Sequence, residues 1–299
     1  MLNGNHWHVL GAGSMGCLFA SQLTTAGCSV TLVLREKPKT QSGFITVDTD
    51  GVSSQYEVEL DHASNVRDIT HLLVTTKAQD VETAMRGIST QLRKSACVLF
   101  ATNGMGYAEQ VKTQLKGNPT YHVTSTEGAY RIGPLHICHA GHGLTRIGSA
   151  DGLHAPRWLG DWHKSPLQCR WEENINAALW HKLAINCAIN PLTAIHQCHN
   201  GELATNRELA AQVKQLCDEI AKVSLGAGFN ETAASIHADV AAVIAGTADN
   251  RSSMLQDIIA ERETEIDFIT GHLLRTAERL VIDAPHNRKL FNQVVSHDH

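Results

Sequence analysis

Three polar residues stand four apart in the stretch from Leu179 to Leu203: Lys182, Asn186 and Asn190. On an α-helix a step of four drifts by only about 40°, so all three line one face. Leu183, Ile185 and Ile189 are left to pack against the protein. Asn is a mediocre helix former because its amide competes for backbone hydrogen bonds, so two of them beside a lysine call for a reason. The chemistry this set suits is a cationic proton donor with two amide clamps, facing something small and polar. The plain alternative is a solvated helix face, since Lys is almost never fully buried. Against it stand the flanking apolar residues, the matched amides and Pro191, which is expected to stop or kink the helix just beyond.

A second constellation lies near the start. Gly11-Ala12-Gly13-Ser14-Met15-Gly16 follows the apolar strand Trp7-His8-Val9-Leu10, and a helical stretch from Cys17 to Ala26 and a strand from Ser29 to Leu34 come next. G-x-G-x-x-G alone is a weak signal, but set strand–turn–helix–strand it points to dinucleotide binding. Gly11 allows the tight turn, Gly13 lets backbone N–H groups approach a pyrophosphate, and Gly16 lets the helix sit close to the sheet. The helix N-terminus supplies partial positive charge to the phosphates. An NAD site usually has an acid at the end of the second strand, whereas Arg35 stands here. A guanidinium pairs with a 2′-phosphate and offers no acceptor to a bare ribose. NADPH is therefore preferred, with Glu36, one position on, as the competing acid.

The elements that must position these residues can be read coarsely. Gln41 to Tyr56 suggests a hairpin. His71–Thr75 and Ala96–Phe100 read as core strands, with Lys77 and Asn103 just past their carboxyl ends, where open α/β sheets bind ligands; either could also be a turn residue. Tyr121 to Gly148 reads as short strands broken by glycines, expected to extend the sheet with antiparallel edges, with Ala129 near the same ligand. Asp151 to Arg170 looks irregular, and a domain boundary is expected near Trp171. Beyond it the pattern is helical: Glu173–Ile189, Asn206–Leu225, Glu231–Gly246, one long helix from Ser253 towards Val281 carrying Glu265, and a short one after Pro285.

Composition sets the outer bounds. With 299 residues, 42% hydrophobic and 18% charged, an ordinary globular protein of about two domains is expected. Thirty acidic against 25 basic residues give a net charge of −5 with no basic block, which argues against nucleic acid or an anionic membrane as partner. No apolar run reaches the ~18 residues of a membrane span, and no leader is expected. Eight scattered cysteines without C-x-x-C read as reduced thiols of a cytoplasmic protein. His136-x-Cys138-His139 and His196-x-Cys198-His199 could be mistaken for metal sites, but adjacent Cys and His cannot easily chelate one ion, and no metal is expected.

The glycine motif, Asn103-Gly104, LWHKLAINCAINPLTAI followed by NGEL, and SSMLQDI with TEIDFI together resemble the ketopantoate reductase (2-dehydropantoate 2-reductase) family over essentially the whole chain. The resemblance implies an α/β Rossmann-type N-terminal domain with a mostly parallel sheet over residues 1–171. An all-α substrate and catalytic domain over 172–299 follows. It further implies reduction of 2-dehydropantoate to (R)-pantoate with NADPH, in pantothenate and coenzyme A biosynthesis, by a monomer or homodimer. By the same resemblance Lys182 is the proton donor, and Asn186, Asn190, Asn200 and Ser253 bind substrate. Asn103 touches substrate and cofactor. Gly11, Ala12, Gly13, Ser14, Met15, Gly16, Arg35, Lys77, Ala129 and Glu265 lie at or near NADPH, and Glu265 also holds Lys182. Two other readings stay open: a reductase of another 2-keto acid on the same fold, and a non-catalytic NADPH-binding sensor.

Overall fold

The structure, a computed structural model, describes residues 5–297. Its contacts divide the described residues into two compact units, 5–102 with 107–175, and 103–106 with 176–297. The first unit contains strands β1 (His6–Leu10), β2 (Ser29–Leu34), β3 (Ser42–Thr49), β4 (Val52–His62), β5 (Ile69–Val74), β6 (Leu92–Phe100), β7 (Thr120–Ser125), β8 (Gly128–Gly133), β9 (His136–Gly141), β10 (Leu144–Gly148) and β11 (Gln168–Trp171). Its helices are α1 (Ser14–Thr25), α2 (Val81–Ile88), two single turns α3 (Tyr107–Gln110) and α4 (Lys112–Leu115), and α5 (Leu159–His163).

All these strands form one sheet in the order β11-β10-β7-β6-β5-β1-β2-β4-β3-β9-β8. From β7 to β4 the run is parallel, and antiparallel pairs occur at β10–β7, β3–β4 and β8–β9. A parallel sheet is covered on both faces, which is why β1, β2 and β5 read as nearly continuous apolar runs. The chain starts in the middle, moves outward through β2, and returns to the other side of β1 with β5. Such a reversal is the place where open α/β sheets hold ligands. The result is the expected α/β fold with a mostly parallel sheet.

Two parts of this unit differ from the sequence expectation. The expected antiparallel extension is only partial, because β9 joins β3 and β11 joins β10 in parallel. The stretch expected to be irregular contains α5 and β11 and fills the core. Trp158 and Trp162 set their rings edge-on to Trp7, with centroids 5.4 and 5.9 Å away, and Trp7 Nε1 donates to Asp161 Oδ2 at 3.0 Å. Such a cluster forms across more than 150 residues of sequence and leaves no local periodicity to read.

The second unit contains α6 (Ile175–His196), the single turn α7 (Glu202–Thr205), α8 (Arg207–Gly226), α9 (Asn230–Gly246), α10 (Ser253–Ile259), α11 (Thr270–Arg279) and α12 (Pro285–Val295). Helix α6 does not stop at Pro191 but continues through it to His196. Proline removes the N–H that would meet the Cys187 carbonyl, yet Ala184, Cys187, Ala188, Leu192 and Ala194 are all buried around it. That packing outweighs one missing bond. The long helix expected from Ser253 to Val281 is in fact two, α10 and α11. Glu261, at φ 51°, turns the chain left-handed after α10, and the Arg262 guanidinium folds back onto Asp257 at 3.0 Å. Ser253 and Glu265 therefore do not share a helix. No helix among the described residues is long and apolar enough to cross a membrane.

One buried carboxylate ties this unit together. Glu219 of α8 accepts from the backbone N–H groups of His286 at 2.8 Å and Asn287 at 3.0 Å, and from both of their side chains. It thus caps the N-terminus of α12 from outside. Burial alone would raise its pKa, but the four donors win and hold it below the ordinary carboxylate value. A depressed carboxylate stabilises the fold above its unfolded pKa, about 4.3, and that stability is lost as pH falls through the lower folded value. Replacing Glu219 with Gln is expected to cost about 1–3 kcal/mol at pH 7 in a urea titration. The gap to wild type should narrow below pH ~4; an equal gap at pH 7 and pH 3.5 would show that the charge plays no part.

Candidate active site

The glycine turn occupies the switch point of the sheet. Gly11 has φ +109°, a conformation that side chains resist, and a Cβ there would lie 3.0 Å from the Thr76 nitrogen. At Gly16 a Cβ would fall on the Gly11 carbonyl oxygen and within 2.6 Å of Thr75 Oγ1. Helix α1 therefore approaches the turn as only glycine permits. Thr75, just past β5, locks the arrangement by donating from Oγ1 to the Gly11 carbonyl at 2.7 Å and from its backbone to Leu10 at 2.9 Å.

Gly13 is different. A Cβ there would meet nothing within 4 Å, so packing does not require a glycine at this position. Gly13 is the N-cap of α1, no side chain caps the helix, and its first turn carries no acid. The first N–H groups and the positive end of α1 are thus left without a side-chain cap beside the open space at Gly13, a cradle that fits a pyrophosphate.

Other candidates gather around this turn. Lys77 follows Thr75 by two residues and precedes a short 3-10 turn, Ala78–Asp80. Arg35 stands at the carboxyl end of β2, exposed, with one Nη on Asp80 Oδ2 at 2.8 Å. In water such a pair is worth at most about 1 kcal/mol, so a phosphate can displace the carboxylate. Glu36 is exposed beside it. Ala129 lies in β8, two residues before Arg131, whose Nη2 donates to the Ala12 carbonyl at 2.9 Å. Arg131 brings a guanidinium to the phosphate cradle and was not legible in the sequence, since it lies 119 residues from Ala12.

In the second unit, α6 carries Lys182, Asn186 and Asn190 at the expected spacing. Asn190 is buried, and its carbonyl accepts from Thr193 Oγ1 at 3.0 Å. Thr193 Oγ1 is also hydrogen-bonded to Ser252 Oγ at 2.7 Å. Ser252, which caps α10 by accepting from Leu255 N, thereby holds exposed Ser253 next to the asparagine end of α6. Asn103 Nδ2 donates to Glu265 Oε2 at 3.3 Å. That contact is enforced by backbone: Met105 N donates to the Phe268 carbonyl at 2.8 Å, and a Cβ on Gly104, at φ +80°, would lie 2.5 Å from the same oxygen.

Lys182 completes the group. Burial pulls its pKa below the ordinary lysine value, while the charge of buried Glu265 acts in the opposite direction. Asn200 follows α6. It is buried, and Nδ2 donates to Thr247 Oγ1 at 2.8 Å, tying the segment after α6 to the end of α9.

The sequence matches the family profile described as ketopantoate reductase PanE/ApbA over residues 7–152 and its C-terminal counterpart over residues 174–297. A 2-dehydropantoate 2-reductase of Vibrio cholerae is 37% identical over 288 residues, covering 96% of this chain and 95% of that protein. One from Shigella flexneri is 38% identical over 290 residues, covering 96% and 93%. The crystal structure of a probable 2-dehydropantoate 2-reductase from Bacillus subtilis superposes with a TM-score of 0.83 at 28% identity, covering 98% of this chain and 99% of that one.

The contrast between two glycines supplies a test. Gly16→Ala should destabilise the protein, because its Cβ has no room. Gly13→Ala should leave the thermal midpoint unchanged yet weaken dinucleotide binding about tenfold or more, measured by calorimetric titration. Intact binding in a folded Gly13→Ala protein would remove the cradle as the phosphate site.

Proposed function

The chain belongs to the ketopantoate reductase family, and from that premise we propose that it reduces 2-dehydropantoate to (R)-pantoate with NADPH. The observation that carries this reading is a lysine on α6 whose proton is loosened by burial, in a chain that resembles 2-dehydropantoate 2-reductases along nearly its full length.

When bound, NADPH supplies the hydride to the substrate's carbonyl carbon. Gly11 to Gly16 would hold its pyrophosphate through the N–H groups of α1. Arg35 would hold the 2′-phosphate in exchange for Asp80, and Lys77, Ala129 and Asn103 would line the remainder. The oxygen of the reduced ketone gains negative charge, which must be met by a proton or a positive group. Lys182 Nζ would deliver that proton. An ammonium drawn down towards the working pH is a better acid than one at ~10.4, by the Brønsted argument. Glu265 opposes the effect of burial on the amine and, as an acceptor, can bind a substrate hydroxyl. It cannot bind the substrate carboxylate, for which Ser253, Asn186 and Asn190 offer neutral donors. Asn200 would support the substrate end by fixing the segment after α6. We place the protein in the cytoplasm, consistent with its eight unpaired cysteines, as a monomer or homodimer acting on a small molecule.

The direct test follows NADPH oxidation with 2-dehydropantoate as sole keto substrate; absence of turnover would refute the assignment. Lys182→Ala should lower kcat by roughly 10²–10⁴-fold with NADPH affinity nearly intact. Turnover at the wild-type rate would remove Lys182 from the chemistry. Arg35→Ala should weaken NADPH roughly tenfold or more while NADH changes little, whereas equal losses would point to Glu36 as the discriminating residue.

A further inference from the structure

Away from the glycine turn, the first unit brings together Glu127, His139 and His142. One carboxylate oxygen and one ring nitrogen from each histidine all lie within 4.8 Å of one another. Glu127 follows β7, His139 lies in β9, and His142 lies in the turn leading to β10. The expectation of no metal weighed Cys and His residues adjacent in sequence. This set is different: a His-x-x-His pair with two residues between, joined by a glutamate from the loop between β7 and β8.

We propose that Glu127, His139 and His142 form a binding site for a zinc-class divalent cation. Two imidazoles and a carboxylate are borderline ligands suited to such ions, and three protein ligands leave further positions to water. Tetrahedral bonds of about 2.0–2.1 Å place ligand atoms roughly 3.3 Å apart. His139 Nε2 and Glu127 Oε2 now lie 2.7 Å apart, so they need to separate by only about 0.6 Å. His142 is exposed and can swing inward.

The scaffold is already rigid. Glu127 N donates to Ser125 Oγ at 3.1 Å, and Ser125 Oγ bonds to Thr145 Oγ1 at 2.8 Å. Leu144 N donates to Thr126 Oγ1 at 2.9 Å. A Cβ on Gly143 would collide with that same hydroxyl oxygen, so the histidine turn is seated tightly on the residue before Glu127. The side chains of His139 and Glu127 are only 5% and 2% exposed, which makes them fixed ligands rather than solvated ones.

A second observation also points to a ligand. The three residues line a cavity of about 480 Å³ that Gln22 of α1 lines as well. Gln22 is 8% exposed, and its Oε1 is buried without a hydrogen-bond partner. An orphaned acceptor is costly, and a metal-bound water is a strong donor able to satisfy it. Asp50 Oδ2, 3.7 Å from His142 Nε2, adds negative charge on the open side. Since β8 and β9 are paired from Gly128 to Gly141, an ion here would pin the hairpin that carries Ala129 and Arg131.

The test uses the full, chelator-stripped chain with its thiols reduced, titrated with Zn²⁺ against a chromophoric chelator. Wild type should take up one equivalent more tightly than His142→Ala, by at least the roughly 10- to 100-fold typical of lost metal-site support. His142 is exposed, so this variant should fold, which circular dichroism checks. His154→Ala, an exposed histidine outside the cluster, should bind as wild type does. Substitution with Co²⁺ should give visible bands without sulfur-to-metal charge transfer. Equal affinity in wild type and His142→Ala, or a thiolate signature lost in neither variant, would overturn the proposal. None of these readouts needs turnover, so failure here and failure of the reductase reading are separable.

Discussion

A half-buried, desolvated ammonium is the constraint on which the second unit depends. Removing such a charge from water costs several kcal/mol even after relaxation, and an uncompensated lysine would lose its proton. The structure answers with one carboxylate. Glu265 is itself buried, held by Asn103, and its charge opposes the effect of burial on Lys182. In the role proposed for Lys182 the balance has to stay incomplete, since a fully compensated lysine would hold its proton too tightly to be a useful acid. Lysine also suits that proposed role. An arginine would stay charged at any relevant pH and could not give up a proton.

The rest of the unit keeps that balance in place. Helix α6 is anchored by Leu183, Cys187, Ala188 and Leu192, all essentially sealed from water, and each of the two buried leucines contributes about 1.5–3 kcal/mol. That anchoring carries the helix through Pro191 and tolerates two asparagines. In the first unit the same logic applies to backbone. Thr75, Gly11 and Gly16 lock the turn by close contact, while Gly13 and the first turn of α1 are left without a side-chain cap. A glycine cap gives up only a few tenths of a kcal/mol relative to the best caps. The lost stability is small, and the donors stay available to a ligand.

What was legible in the sequence is what local pattern encodes. The strand–turn–helix–strand start, the one-faced spacing of Lys182, Asn186 and Asn190, and the mostly parallel α/β fold all repeat over a few residues. Features made by distant residues were not legible. Arg131 reaches Ala12 across 119 positions, and the tryptophans of an apparently irregular segment close on Trp7. The break between α10 and α11 is an intermediate case. Helical periodicity runs on either side of it, but left-handed Glu261 and the Arg262–Asp257 contact interrupt it without glycine or proline. Asn200 is subtler still: it is an asparagine in a recognisable motif whose Nδ2 is tied to Thr247 across 47 positions, while its Oδ1 is buried without a hydrogen-bond partner.

The histidine cluster shows why composition can mislead in both directions. Eighteen histidines in 299 residues invite a metal reading at every short motif, and adjacency in sequence selects the wrong sets. Successive residues on a strand point to opposite faces, so Cys138 and His139 cannot converge on one ion however close their numbers. His142 can join His139 only because the chain turns between β9 and β10, and Glu127 joins them only because β8 doubles back onto β9. The convergence belongs to sheet topology. The same hairpin places Arg131 at the phosphate cradle, so the β8–β9 pairing sets the geometry of two sites of unlike chemistry. A change in its register by one residue would send both sets of side chains to the wrong face.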